Sequence, residues 1–266
     1  MTAMIHATAV VEPGARIDPS ATVGAFCSIG RGVVLSSEVR VGSQAVLEGE
    51  VSVGVGSSVG NGAVIRGRAV IGARTTIFPY AIIGEIGQFP GQTEAGGMVQ
   101  IGDDATLREF VIVNQPVTTM VTRIGDGCYL MARTQVDHDC ILGGRVKAAT
   151  GVTLGGSVQV GADAYLGMNA VVHQGLRIGE GCMIGMNGVV TAHVPPFTTL
   201  VNRRVTRLNT TGLLRLGASP AEIAGIAQFY RAADEAGPAD DRWIRVIQNF
   251  LDGIPSGPIA RFAWSD

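Results

Sequence analysis

Four histidines occur in the 266-residue chain, His6, His138, His173 and His193, and one of them stands between two carboxylates in Val136-Asp137-His138-Asp139-Cys140. Imidazole titrates closer to neutral pH than any other side chain. A neighbouring carboxylate can orient it and stabilise its protonated form. His138 with Asp139 therefore has the makings of a general base. Acyl transfer needs a second component, a hydrogen-bond donor for the oxyanion of the tetrahedral intermediate. His6 reads as solvated or structural. His173 and His193 stay open between a structural and a functional role.

The elements that must position these groups are set by a repeat. Aliphatic residues recur at every sixth position from Ile5 to Ile83, pause over 84–100, and return at Ile101, Leu107 and Val113. They pause again around 116–123 and run on from Ile124 to Val190, with Ala148 the one weak member. Gly often follows, as in Val23-Gly24 and Ile71-Gly72, and the fourth residue on is small or β-branched, as at Ala21, Val33 and Ala45. A period of six fits neither an amphipathic helix nor an exposed strand. It fits a short strand plus a tight corner, three to a coil, in a parallel β-helix whose interior is a stack of aliphatic side chains. Glycine suits the corners, where positive φ costs it little. A narrow interior agrees with 5% aromatic residues and 38 glycines. Eighteen residues per coil predict nine to ten coils, about 45 Å at a strand spacing of ~4.8 Å.

That spacing supplies the missing component. Position 156, one coil beyond His138 and roughly 5 Å away, is Gly156, whose backbone N–H is open to a ligand. His173 falls two coils beyond Asp137, so both histidines can edge one cleft. Cys27, Cys128, Cys140 and Cys182 each lie four residues after an aliphatic opener and read as small interior hydrophobes, not as disulfide or metal ligands.

The prism is expected to span 1–196, with inserted loops near 84–100 and 116–123, and to end at Val194-Pro195-Pro196, because proline cannot donate to a sheet ladder. Residues 197–266 read as a connector bearing Arg203, Arg204 and Arg207 followed by a helical tail. One helix starts at Ser219-Pro220-Ala221-Glu222, a capping box, with Ile223, Ile226, Phe229 and Tyr230 on its apolar face. A second, around 240–251, presents Trp243, Ile244, Ile247, Phe250 and Leu251. A formal net charge of −2 argues against nucleic-acid binding. No apolar run is long enough for a membrane span. The N-terminus lacks the pattern of a secretory signal, so a cytoplasmic location is expected.

The hexapeptide prism, the Gly84-Glu85 break, Leu107-Arg108-Glu109, His138-Asp139-Cys140, Val172-His173-Gln174, Val194-Pro195-Pro196 and Gly212-Leu213 with its two-helix tail resemble the UDP-N-acetylglucosamine O-acyltransferases, the first enzymes of lipid A synthesis. The resemblance spans essentially the whole chain. It implies an all-β left-handed parallel β-helix with a C-terminal α-helical tail, assembled as a homotrimer with sites between subunits. It implies His138 as general base, Asp139 beside it, and the Gly156 amide as oxyanion donor. The acyl donor would be a thioester on acyl carrier protein. No resident cofactor is expected, since phosphopantetheine arrives on the donor. Gln88, His173, Gln174, Asn209 and Arg215 match the family's substrate-binding positions. Gln135, Ser157, Gly91, Phe89, Val113-Asn114-Gln115-Pro116 and Leu214/Leu216 depart from it, mostly where the family grips the nucleotide sugar. The acceptor could therefore differ from UDP-N-acetylglucosamine. Transfer from acyl-CoA or to an amine, and a non-catalytic trimeric scaffold, are the other readings. Zinc chemistry of the gamma carbonic anhydrase type, on a related β-helix, needs two histidines five apart, and none here are.

Overall fold

The computed structural model describes residues 3–88, 91, 96–231, 241–255, 257–260 and 262. The chain winds into a left-handed parallel β-helix of about eleven turns. Its three walls are sheets of twelve, ten and nine strands, called here the first, second and third sheets. Most strands are two residues long, and each pairs in parallel with the strand one lap away, as in Thr22↔Arg40, Ser28↔Val46 and Arg16↔Val34. Every opener from Val23 to Val190 in the six-residue series is buried. Each such Val, Leu or Ile side chain contributes roughly 1.5–3 kcal/mol relative to exposure, and Ala148 less. The first coil is the exception: Ile5 is 41% exposed, because no coil lies below it.

The second inward position of most units takes a small or β-branched residue, Leu176 being larger, and polar ones such as Ser57 and Cys140 bond to the lap above. Ser57 Oγ donates to the Gly72 carbonyl at 2.7 Å, and Cys140 Sγ donates to the Gly155 carbonyl at 3.2 Å. All four cysteines are buried free thiols. Burial pushes the Cys140 thiol up to about 12, so it behaves as an inert core group.

The two breaks in the repeat are insertions at corners. Ile71 stacks on Ile101 and Ile83 on Val113, thirty residues on instead of eighteen, and Ile101 stacks on Ile124, twenty-three on. The lap is preserved and the surplus is extruded. The stack also continues past the prolines. Met183 and Ile184 pair with Thr199 and Leu200, sixteen residues on, and Val194 bridges Ile178. One corner is two residues short, which moves the opener to Val194. Pro195 and Pro196 then fall in a corner, where a missing N–H costs no ladder bond. The prism therefore extends beyond position 196, to Val201.

The stretch read from sequence as a plain connector is ordered structure. Thr198–Val201 turns back through Asn202 and Arg203, both at positive φ, into antiparallel Arg204–Leu208. Helix α1 (Thr210–Arg215) follows, then α2 (Pro220–Arg231) and α3 (Arg242–Asp252). Ser219 and Glu222 form the expected reciprocal cap. Asp241 caps α3 through the Trp243 N–H, so that helix starts just after position 240, which lies outside the described residues. Ile226, Trp243, Ile244 and Ile247 form a second core around Phe197, whose ring meets Trp243 edge-on at 5.2 Å.

Candidate active site

His138 and Asp139 sit at the corner between the second and third sheets, after Val136. The register Val136↔Leu154↔Val172 stacks three laps here, so His138, Gly156 and Gln174 form one column and Asp137, Gly155 and His173 the next. The third corner residue of each lap adopts positive φ, at Asp139 (62°), Ser157 (61°) and Gly175 (72°). Its N–H reaches back one lap, Ser157 to the His138 carbonyl and Gly175 to the Gly156 carbonyl, each at 2.8 Å. Backbone bonds thus hold the column in register.

The imidazole lies flat against Gly156. A Cβ at that position would collide with Cε1, Nε2 and Nδ1 of His138, so glycine is required by packing; its φ is not in the left-handed region. The Gly156 N–H donates to no group among the described residues. Gly87, in the first insert, closes the other side of the ring against His138 Cβ and Cδ2. The His138 side chain keeps 16% of its surface exposed.

His138 Nδ1 is 2.8 Å from Asp139 Oδ2, and the Asp139 carboxylate is wholly buried. The second insert folds over it. Oδ1 accepts from Thr119 N–H (2.7 Å), Thr119 Oγ1 (2.6 Å) and Val117 N–H (3.1 Å). Oδ2 accepts from Thr118 N–H and Thr118 Oγ1, both at 3.0 Å. The Asp139 N–H donates to Thr122 Oγ1 at 2.9 Å. Burial alone would raise the carboxyl pKa, but the bonds from Thr119, His138 and Thr118 outweigh it and hold the acid well below the ordinary carboxylate range. An ionised carboxylate only accepts, so Nδ1 is the protonated nitrogen and Nε2 carries the lone pair, on the side of Gly156. An imidazole in this state can take a proton at Nε2 beside the Gly156 N–H, which donates to no group among the described residues.

His173 and Gln174 are exposed on the same corner, with His173 Nδ1 3.1 Å from the Gln174 carbonyl oxygen. Gln88 is exposed next to Gly87. These join His138, Asp139 and Gly156 at one edge. Asn209 and Arg215 do not. Asn209 caps α1, accepting from the Gly212 N–H and donating to the Gly181 carbonyl. Together with Arg215, Lys147, Tyr165 and Arg207 it lines a cavity of about 850 Å³ over the first sheet, the wall opposite the His138 corner. Of the departures, Asn114 and Gln115 are buried and tie down the first insert by donating to the carbonyls of Ile86 and Gly84. Gly91 is exposed, and a Cβ there would meet no atom of the described residues; Phe89 lies outside the described residues. His193 is a buried structural residue: Nδ1 accepts from the Arg177 N–H, and its backbone pairs with Pro258 and Ala260. His6 is exposed and bonded to Thr8. Among the described residues no group of three His, Cys, Asp or Glu side chains is placed to hold a metal ion, and no helix is long and apolar enough to cross a membrane.

Sequence reasoning missed Val117, Thr118, Thr119 and Thr122, which hold Asp139. The available signal was the second break in the repeat, one lap below His138 and rich in threonine.

No family model matches the chain. It is 34% identical to an acyl-[acyl-carrier-protein]–UDP-N-acetylglucosamine O-acyltransferase of Herminiimonas arsenicoxydans, over 97% of this chain and 99% of that one. It is 33% identical to the protein of the same name from Campylobacter concisus, over 79% and 76% of the two chains. The solved structure of the Francisella novicida UDP-N-acetylglucosamine acyltransferase superposes with a TM-score of 0.77 at 29% identity, covering 97% of this chain and 94% of that one. A repeat shared by many transferases would not by itself align the inserts and the helical tail over nearly full length at this identity; the chain belongs to the acyl-[acyl-carrier-protein]–UDP-N-acetylglucosamine O-acyltransferase family.

Proposed function

We propose that this protein moves an acyl group from an acyl-carrier-protein thioester to a hydroxyl of UDP-N-acetylglucosamine, with His138, Asp139 and Gly156 as its catalytic groups. One observation carries the reading: an imidazole whose Nδ1 lies 2.8 Å from a buried carboxylate, stacked on a glycine whose N–H donates to no group among the described residues. His138 Nε2 takes the acceptor hydroxyl proton as the oxygen attacks the thioester carbon. The Gly156 N–H holds the oxyanion. Collapse breaks the carbon–sulfur bond, and the departing thiolate receives the proton from His138. Phosphopantetheine enters on the donor, so this scheme uses no resident cofactor or metal. His173, Gln174 and Gln88 edge the same groove and bind acceptor or donor there.

The assembly is a homotrimer in this reading. Asn209 and Arg215 face the wall opposite His138, so a site containing all of them draws on a second copy. The outer face of the second sheet suits such contact: Val46, Val64, Ile82 and Ile112 are half-buried in the isolated chain, and Phe26, Tyr80 and Phe110 stand 66%, 51% and 55% exposed at its edge. Four unpaired thiols agree with a cytoplasmic location.

The test is His138→Ala assayed with acyl-carrier-protein thioester and UDP-N-acetylglucosamine. Turnover is expected to fall about 10²–10⁴-fold with the oligomer intact. Retained turnover refutes the base assignment. Substituting acyl-CoA, or other UDP-sugars, tests donor and acceptor separately; Gly91, where the family carries a lysine, makes the acceptor arm the informative one.

A further inference from the structure

We propose that the second insert is a positioning element, in which Thr118 and Thr119 hold the Asp139 carboxylate so that His138 presents an unprotonated Nε2 to the groove beside Gly156. The inference rests on the reading of His138 as the base and adds residues that reading does not contain.

Asp139 stands at a left-handed corner position, and its side chain is completely buried. A buried carboxylate persists only if its oxygens are satisfied. Both threonines offer backbone N–H and hydroxyl together: Thr119 gives both to Oδ1 and Thr118 gives both to Oδ2. Val117 adds a further donor to Oδ1, which also shares the Thr118 N–H at 3.2 Å. Oδ2 takes its third partner from the imidazole, at 2.8 Å. The carboxylate plane is thus set by the insert, and the imidazole is the group it is aimed at. Val117 also packs against Gly87, which in turn abuts the ring, so one segment fixes both the polar and the apolar contacts of His138.

Anchoring the loop would not by itself need this arrangement. Thr118 and Thr119 are exposed residues whose backbone N–H groups already reach the carboxylate. The hydroxyls add one further bond to each oxygen, beyond the backbone N–H groups of Val117, Thr118 and Thr119 and the imidazole, and so further restrict rotation of the carboxylate. Free rotation would let Oδ2 leave Nδ1, and the Nε2–H tautomer, inactive as a base, would become populated.

The test uses Thr119→Val and Thr119→Ser in the full-length protein, with steady-state kinetics and nitrogen-15 NMR of the histidine side chains. The wild type is expected to show His138 as the Nδ1–H tautomer. Thr119→Val is expected to mix the tautomers and lower kcat about 10–100-fold with KM within about twofold. Thr119→Ser, which keeps the hydroxyl, restores both. In an Asp139→Ala background, Thr119→Val is expected to change kcat by less than about twofold, since its effect runs through the carboxylate. Thr118→Val is the second variant if Thr119→Val fails to fold. An unchanged tautomer in Thr119→Val, or full additivity with Asp139→Ala, overturns the proposal. The NMR readout does not depend on turnover, so an active His138→Ala enzyme would sink the base assignment while a tautomer change in Thr119→Val still supported the role of the insert.

Discussion

Replacing Gly156 by alanine tests the geometry at its tightest point. The added Cβ would land on the imidazole at Cε1 and Nε2. The backbone beneath is held by the lap-to-lap bonds of Ser157 and Gly175, so the ring must move. Rotation breaks the 2.8 Å bond to Asp139 and swings Nε2 off the groove, while the Gly156 N–H stays in place. The variant therefore isolates loss of the base from loss of the oxyanion donor. Stability should fall by about 1–3 kcal/mol, the usual cost of overpacking, leaving the fold intact. The kcat/KM for acyl transfer should fall about 10²–10³-fold, equivalent to about 2.7–4 kcal/mol at 1.36 kcal/mol per decade. Gly144→Ala is the control: it is another corner glycine, and its Cβ would meet only the Asp126 carbonyl, at 3.4 Å. In a His138→Ala background the Gly156→Ala change should cost little more, because the colliding ring has gone. A Gly156→Ala enzyme within about threefold of wild type, with Gly144→Ala similar, would refute the placement of the base over this glycine.

Two further outcomes are expected. Arg203, Arg204 and Arg207 are exposed on the terminal hairpin, with no ion pair among the described residues; changing Arg203 and Arg204 to Glu should raise KM for the acyl-carrier-protein donor about tenfold with kcat unchanged, less so at high salt, and an unaltered KM would exclude the hairpin from docking. Glu222 accepts from the Ser219 N–H and the Trp243 indole, and these bonds with the nearby Ser219 side chain lower its pKa from 4.5 to about 2; a depressed acid stabilises the fold above its unfolded pKa and loses that contribution as pH falls. Trp243 fluorescence should therefore change between about pH 4.5 and 2 in the wild type, and Glu222→Gln should abolish that transition.

The period of six determined most of this molecule before any coordinate. Because a strand-and-corner unit can bury its aliphatic opener only by stacking, the positions from Val23 to Val190 had one way to fold, and arithmetic on that lap placed His138 beside Gly156. The helix caps at Ser219 and the buried cysteines were legible for the same reason: each depends on residues close in sequence or in lap register. Tertiary structure decided what local pattern does not encode. The corner before Val194 is two residues short, which carried the prism past Pro196. Thr118 and Thr119 show no period and acquire a role only because an extruded segment folds onto a carboxylate one lap away. Nothing in the sequence says which wall Asn209 and Arg215 face; the fold puts them over the first sheet, across the prism from His138. A repeat fixes distance along its axis, whereas the paths of insertions, the length of a final corner and the wall a side chain faces follow from packing in three dimensions.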